Sequence, residues 1–499
     1  MTNPNPLTEN ELRAAAYFAV GVTSEGSIGG RDLAYRLSFA GNVGAGGRME
    51  PVANSGYSFG TLQIDLGQHP QVARDLLDGY QIWAATQPDQ ASLELSPTQY
   101  DATLASLQRT GRQMRAANAI DIDRSSIDRF LGSDEGRTFV HGLDTEHVDG
   151  MTATDAVAGN RDSALERLQR TDLYRNSTGD EQAELAGMLM KLQNQAGQGR
   201  WPGLLNQVEA GSLASPSEVK NAINGFLPNQ RNGSPDYLES GADNTLRGIS
   251  VLNALRGGNP ENPLSTAWSN VVENPLVGPV ASHRPNAANP DFGFEYDTVR
   301  SLFLTPEQSR RFIAAVDQGA PLADGNPARQ ANGSRQPGFY VSGDDFVHWN
   351  RSGQGQAFIG GQWRSISAED LTRVRNRDGT TELTINEDGE RAPLLRVDPR
   401  TPPLRVDAAT QSDTRDVVTA HERLAAPGTA IFANAHLNDI LAAAMTGDEA
   451  GGRRAMEELT RSSEGVAFAQ RSAELVANRQ ADEHAVKEQV SERGGFERS

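Results

Sequence analysis

The sequence predicts a mixed fold that is mainly helical, of the α+β class. Three observations support this prediction. Helical spacing of apolar residues recurs over much of residues 10–256, a glycine-rich and poorly helical stretch occupies residues 26–68, and a strand-rich stretch occupies about 338–398. We therefore expect a helical domain with a small β lobe, then a small β-containing module, then a helical C-terminal region.

The helical prediction begins with residues 10–24, where Leu12, Ala15, Ala16, Ala19 and Val20 fall on one face. Glycines at 26, 29 and 30 predict its end. Further helices are expected at 69–90, 98–119, 161–172, 180–196, 217–225 and 243–256.

Domain boundaries are predicted where turn-forming residues accumulate. Residues 257–300 repeat Asn-Pro, Gly-Gly and Gly-Pro pairs, which are typical of loops and linkers. The Asp378-Gly379 and Asp388-Gly389 pairs predict hairpins in the second module. The expected domains are 1–260, a mixed α/β accessory module at 280–405, and a helical module at 406–499.

Composition excludes several kinds of chemistry. The 499 residues include no cysteine, so disulfides, thiolate metal sites and cysteine nucleophiles are absent. A net charge of −19 disfavours a nucleic-acid partner. No apolar run is long enough to predict a membrane span, and the histidines lack metal-ligand spacing. We expect no metal and no cofactor.

The strongest candidate for chemistry is Glu25, which lies where a mostly apolar helix runs into the glycine-rich lobe. Partial burial at the helix end favours the protonated form of a carboxyl group. Such a group can protonate a leaving oxygen, so Glu25 is the expected general acid.

A second segment, residues 55–68, alternates polar and apolar residues. If this segment is extended, Thr61, Gln63 and Asp65 share one face. A strand or hairpin facing the Glu25 helix end would place polar groups across a cleft, which is the arrangement that glycoside hydrolysis requires. Asp65 has a second reading as a cap for the helix that follows.

These segments resemble the lysozyme-like superfamily, which includes goose-type lysozymes and lytic transglycosylases. The resemblance lies in a Glu at the end of the first helix, followed by a Ser-Gly and a Gly-x-x-Gln segment. The Ser58-Phe59-Gly60 run and the ending Asp65-Leu66-Gly67-Gln68 look closer to pesticin and phage-T4-type muramidases. Residues 187–197 are similar to the late helix that closes the cleft in such enzymes.

The resemblance implies a set of site residues. Glu25 would be the acid, Asp65 its carboxylate partner, and either Ser58 or Thr61 the assisting hydroxyl. The residues expected to contact substrate are Gln63, Tyr57, Tyr35, Gln193 and Asn194.

The expected activity is hydrolysis of the β-1,4 bond between N-acetylmuramic acid and N-acetylglucosamine in peptidoglycan. The N-terminus has no basic segment typical of a secretory signal. We therefore expect synthesis in the cytoplasm and action in the wall or periplasm of a target cell, as a phage lysis enzyme or a delivered antibacterial effector. The effector setting implies an immunity protein and a secretion apparatus as partners.

Two alternatives stay open. A lytic transglycosylase would use Glu25 alone and would release anhydro-sugar ends. A non-catalytic wall-binding or virion structural protein would bind peptidoglycan glycan strands without cutting them, and the acidic net charge favours it over a basic lysozyme.

Overall fold

The structure is a computed structural model that describes most of the first 405 residues. The described ranges are 5–28, 30–152, 163–196, 200–226, 237–278, 288–330, 335–387 and 389–405, with the single residues 280, 284 and 333. The chain divides into two compact units, Met1–Val406 and Asp407–Ser499. The second unit, and with it the helical module expected at 406–499, lies outside the described residues.

The fold is mixed, with about 52% helix, 17% strand and several small sheets, so the predicted excess of helix over strand is confirmed. The helices are α1 Glu9–Ala14, a π-helix Ala15–Glu25, a 3-10 turn Ala45–Gly47, α2 Pro70–Ala84, α3 Gln90–Leu93, α4 Pro97–Leu107, α5 Gly111–Ala116, α6 Ser125–Gly132, α7 Asp134–Thr152, α8 Ala164–Gln169, α9 Asp172–Asn176, α10 Gly179–Ala196, α11 Trp201–Glu209, α12 Pro216–Asn224, α13 Tyr237–Arg256, α14 Pro263–Glu273, α15 Phe292–Leu304 and α16 Pro306–Gln318.

The helix from α1 through the π-helix is the centre of the larger core. A capping box at Thr8 and Glu11 starts it. Residues 14–23 are buried without interruption, because α7, α10, α13 and α15 surround this segment. The single apolar face predicted from the sequence is therefore incomplete, since a helix buried on all sides is apolar all round.

The N-terminal β lobe consists of short strands. They are β1 Ser27–Ile28, β2 Arg31–Asp32, β3 Ser38–Phe39, β4 Gly41–Val43, β5 Met49–Pro51, β6 Tyr57–Phe59 and β7 Ile64–Asp65. They pair as β1-β2, β4-β5 and β3-β6-β7. The lobe packs on α2, α4, α5 and α6 through a second apolar cluster that includes Tyr57, Phe59 and Leu66.

The expected continuous face of residues 55–65 is wrong, because β6 and β7 form a hairpin with Ser58 opposite Asp65. Gly60 and Gln63 adopt positive φ angles of 86° and 52°, which reverse the chain between the strands. Thr61, Gln63 and Asp65 consequently do not share one extended face.

The strand-rich stretch forms two antiparallel sheets. The strands are β8 Leu322–Asp324, β9 Gly338–Ser342, β10 Asp345–Trp349, β11 Gln354–Ile359, β12 Gln362–Ser367, β13 Leu371–Arg375, β14 Thr381–Glu387 and β15 Glu390–Val397. Their orders are β12-β11-β10-β9-β8 and β13-β14-β15. The Asp378-Gly379 pair lies between β13 and β14, as its hairpin chemistry predicts, and Asp388 lies outside the described residues.

The stretch expected to be a linker contains two helices that complete the core, α14 and α15. Phe303 of α15 stacks on Phe18 with ring centroids 5.0 Å apart. The Thr23 hydroxyl donates a hydrogen bond of 2.7 Å to the Phe303 carbonyl oxygen. Core contacts thus cross the boundary expected near 260, and the first compact unit extends to 406. Sequence analysis also missed α7, which is polar on much of its surface.

Across the part of the chain that the structure describes, no helix combines the length and the apolar character needed to cross a membrane.

The first prediction concerns this shared core. Phe303→Ala removes a fully buried ring from the π-helix, so we expect the free energy of unfolding of the full chain to fall by about 3–5 kcal/mol. Denaturant unfolding followed by tryptophan fluorescence measures this change. Ile82→Ala, at a side chain that is 73% exposed, is the matched control and should change stability by less than about 0.5 kcal/mol. A Phe303→Ala loss as small as the control's would mean that α15 does not complete the core.

Candidate active site

Glu25 is the last residue of the π-helix, and 18% of its side chain is exposed. Its carboxylate oxygen Oε1 contacts the Lys191 ammonium of α10 and accepts a hydrogen bond of 3.1 Å from Asn194 Nδ2. The same Asn194 amide reaches the Leu62 carbonyl oxygen at 3.4 Å. One carboxylate oxygen is therefore held by α10, and α10 is tied through Asn194 to the turn that follows β6.

Lys191 is an unusual residue for the middle of a core helix, since only 2% of its side chain is exposed. Burial lowers the pKa of Lys191, and the charge and hydrogen bond of Glu25 oppose that effect. A buried ammonium without a partner is strongly unfavourable, so the ion pair fixes the direction of both side chains.

Thr61 holds the turn between β6 and β7 against the π-helix. A Cβ atom at Gly21 would lie 2.8 Å from the Thr61 methyl group, and one at Gly26 would lie 2.8 Å from the Thr61 carbonyl oxygen. These two glycines are one π-turn apart, since the Gly26 N–H donates to the Gly21 carbonyl at 2.7 Å. Residues 21 and 26 must therefore lack side chains for Thr61 to approach.

Asp65 organises its own loop. Its carboxylate accepts hydrogen bonds from the N–H of Gly56 at 3.1 Å and from the N–H of Gly67 at 2.8 Å. Helix α2 starts after His69 without a side-chain cap, so Asp65 does not cap it. The described contacts of Asp65 do not include Glu25 or its two partners.

The two candidate hydroxyls have different surroundings. Ser58 is half-buried, and its Oγ lies 3.1 Å from Ser38 Oγ and donates to Gln63 Oε1 at 3.0 Å. Gln63 also donates to the Gly60 carbonyl at 2.9 Å, which stabilises the turn. Thr61 is fully buried. Ser58 and Gln63 thus belong to one polar network of the β lobe, whereas Thr61 is buried.

The two tyrosines expected to contact substrate lie in different places. Tyr57 is 1% exposed, and its hydroxyl donates a hydrogen bond of 2.6 Å to Asp121, so its ring packs in the β-lobe core. Tyr35 lines a pocket beside the β lobe. Gln193 is half-buried on α10, and its Oε1 is a buried oxygen to which no described residue donates.

Asp144 of α7 is a carboxyl group that sequence analysis missed. It is 1% exposed and accepts the Thr61 N–H at 3.0 and 3.2 Å. Burial raises the pKa of Asp144 from 3.8 to about 6, although the hydrogen bonds from Thr61 and Leu62 oppose the shift. Asp144 therefore anchors the turn next to Glu25 and titrates near neutral pH.

The sequence around Lys191 could have predicted its buried contact. The chain has three lysines, and this one interrupts the apolar run Met188–Leu192. A cation in such a run predicts a buried partner of opposite charge. Asp144 left no such signal, because α7 has acidic residues on several faces.

Comparison of the chain with protein-family models, with curated proteins and with solved structures gives no match. The residues placed by the structure also include no group of three or more His, Asp or Glu side chains positioned to hold a metal ion.

The second prediction concerns the stability contributed by Asp144. Because its pKa is raised on folding, the folded state binds the proton more tightly, and this contribution is fully present below about pH 4. It is lost as the pH rises through 6, and amounts to about 3 kcal/mol. An asparagine side chain at this position can still accept the Thr61 N–H but does not titrate. Asp144→Asn should therefore gain about 3 kcal/mol relative to wild type between pH 4 and pH 7.

Urea unfolding at pH 4, 5, 6 and 7 measures this gain. Glu135→Gln, at an exposed position near the start of the same helix, is the control and should follow the wild type at every pH. Parallel curves for Asp144→Asn and wild type would contradict the raised pKa.

Proposed function

We propose that this chain hydrolyses the β-1,4 bond between N-acetylmuramic acid and N-acetylglucosamine in bacterial peptidoglycan, with Glu25 as the general acid. One observation supports the proposal most. The three segments that resemble lysozyme-like enzymes, at 24–26, 55–68 and 187–197, are joined by contacts around Glu25. Asn194 contacts both Glu25 and the Leu62 carbonyl, and Gly26 packs on Thr61.

The position of Glu25 suits an acid that faces a substrate. Its carboxylate is partly exposed, while the helix behind it is buried from residue 14 to residue 23. Oε1 is held by Asn194 and Lys191, which leaves Oε2 as the oxygen that would donate the proton. A carboxyl group that is held through one oxygen and is partly exposed is suited to general acid catalysis.

Lys191 determines how Glu25 acquires its proton in this proposal. Burial opposes the charged form of Lys191 and lowers its pKa. Transfer of the proton from Nζ to the carboxylate leaves both groups neutral. A glycan strand that covers the site and displaces water favours this neutral pair. Lys191 would thus be the proton source for Glu25.

The second carboxylate is the weaker part of the proposal. Asp65 is engaged by the N–H groups of Gly56 and Gly67, and its described contacts do not include Glu25. This observation favours a second candidate function, a lytic transglycosylase, which needs one carboxyl group because the substrate's own hydroxyl closes the sugar ring. Ser58 or Thr61 keeps a role only in the hydrolase.

The third prediction tests the acid. The glutamine introduced by Glu25→Gln retains the shape of the side chain and an oxygen that can accept from Asn194 and Lys191, but it has no carboxyl proton to donate. Because it also removes the charge that balances Lys191, circular dichroism checks that the variant is folded. Release of soluble muropeptides from purified sacculi should fall at least about 100-fold in this variant. Glu50→Gln, at an exposed position of the same β lobe, should retain full activity. Full activity in Glu25→Gln would remove this residue from the chemistry.

Mass spectrometry of the same digests separates the two candidate functions. Reducing N-acetylmuramic acid ends support the hydrolase, whereas 1,6-anhydro ends support the transglycosylase. Sedimentation of the wild-type chain with sacculi that it does not digest would favour the non-catalytic binding protein and contradict both.

The fourth prediction tests Lys191 as the proton source. In Lys191→Met no neighbouring ammonium can supply the proton, so Glu25 must take it from solvent. Activity of this variant should therefore fall as the pH rises, by about tenfold per pH unit for a single proton taken from solvent, while wild-type activity stays level over the same pH range. If the activity of Lys191→Met instead extends to higher pH than that of the wild type, Lys191 is not the proton source. Circular dichroism at each pH checks that the variant remains folded.

A further inference from the structure

A pocket of about 640 Å³ lies beside the β lobe and does not include Glu25 in its lining. Its residues come from parts of the chain more than 300 positions apart, the Gly30–Arg36 segment and the strands at 350–366, with α7 and α15 between them. We call it the arginine pocket, after Arg31, Arg36, Arg137 and Arg300. Its volume is in the range of small-ligand sites, about 300–1,000 Å³.

The charge of the arginine pocket is opposite to that of the whole chain. Four guanidinium groups and two carboxylates, Asp32 and Asp297, line it, whereas the chain carries −19. Arg300 is bound by Asp32 through two hydrogen bonds and is 8% exposed. Arg36 is 53% exposed, and its carboxylate neighbour Asp128 is 3.9 Å away. The pocket therefore keeps an excess of positive charge toward solvent.

Tyr35 orients two of the guanidinium groups. The Arg137 guanidinium lies 5.0 Å from the centre of the Tyr35 ring, and that of Arg300 lies 5.7 Å from it. Cation–π contacts at these distances stabilise both cations. An aromatic ring flanked by fixed guanidinium groups offers an apolar face together with fork-shaped donors.

A second part of the lining, which we call the amide wall, is polar, and the Asp297 carboxylate lies beside it, accepting a hydrogen bond of 3.4 Å from Gln356 Nε2. The amide wall consists of amide and hydroxyl side chains from β11, β12 and the turn before them, namely Asn350, Ser352, Gln354, Gln356 and Ser365. Amide and hydroxyl groups both donate and accept hydrogen bonds, which suits the hydroxyl and acetamido groups of a sugar. The guanidinium groups thus fit an anion, and the amide wall fits the polar groups of a sugar.

We propose that the arginine pocket binds a carbohydrate that carries a carboxylate, with the guanidinium groups on the carboxylate and the amide wall on the sugar. In a wall glycan this ligand is a muramic acid residue with its acidic peptide stem. That identification rests on the function proposed above, whereas the preference for a carboxylate-bearing sugar rests only on the pocket. The pocket then holds the strand at a site separate from Glu25.

The experiment measures binding to the full chain carrying Glu25→Gln, so that the ligand is not cleaved. The three probes are the N-acetylglucosamine–N-acetylmuramic acid disaccharide with its peptide stem, the same compound with its carboxylates amidated, and inorganic phosphate. Calorimetry should show the acidic compound binding at least about tenfold more tightly than the amidated one, as expected for a charge-assisted contact.

Arg31→Gln combined with Arg36→Gln should abolish that difference, since both side chains are exposed and line the pocket. Arg175→Gln is the matched control, an exposed arginine of α9 outside the pocket lining, and should leave binding unchanged. Equal affinity for the acidic and amidated compounds, or an unaffected difference in the double variant, would overturn the proposal. If phosphate binds as tightly as the disaccharide, the amide wall does not contribute to binding.

The two proposals fail separately. If the Glu25→Gln chain binds the acidic disaccharide selectively but the wild type releases no muropeptide, the binding proposal stands and the hydrolase proposal fails. If the wild type releases muropeptides but the chain binds the acidic and amidated compounds equally, the binding proposal fails and the hydrolase proposal stands.

Discussion

The burial of one helix constrains most of this structure. Residues 14–23 are enclosed without a break, so every neighbouring element must present a surface that fits them. Helices α10, α13 and α15 supply most of that surface, and α7 and the turn around Thr61 contribute to it. Glu25 lies at the end of this helix, and its position is therefore determined by packing along the ten residues before it rather than by local loop structure.

Burial of the helix also determines the electrostatics at its end. Lys191 belongs to a helix that must pack tightly on the π-helix, so its ammonium is removed from water. Glu25 is the carboxylate that it contacts. Because a buried cation without a partner is unfavourable, the acid candidate and its cation are linked in any chemistry at this site.

Sequence reasoning selected some residues that the structure brings together and others that it separates. Glu25 and Asn194 were chosen from separate segments and are hydrogen-bonded to each other. The alternation at 55–65 predicted one extended segment, but the positive φ angles at Gly60 and Gln63 reverse the backbone there and form a hairpin. Periodicity detects which residues alternate but does not detect where the backbone reverses when an ordinary residue such as Gln63 adopts a left-handed conformation.

The stretch at 257–300 shows the limit of composition as a guide to boundaries. Its Asn-Pro pairs lie at turns and at the start of a helix, but the helices of this stretch bury Trp268, Tyr296 and Phe303 in the same core as the N-terminal helix. Turn chemistry describes the backbone locally, whereas a domain boundary requires that few side chains cross it. Because α15 lies both against the π-helix and along the arginine pocket, the packing that encloses residues 14–23 also brings Arg300 to Asp32 and Tyr35. Helix α15 thus contributes residues to both the core and the arginine pocket, and neither is complete without the residues beyond 290.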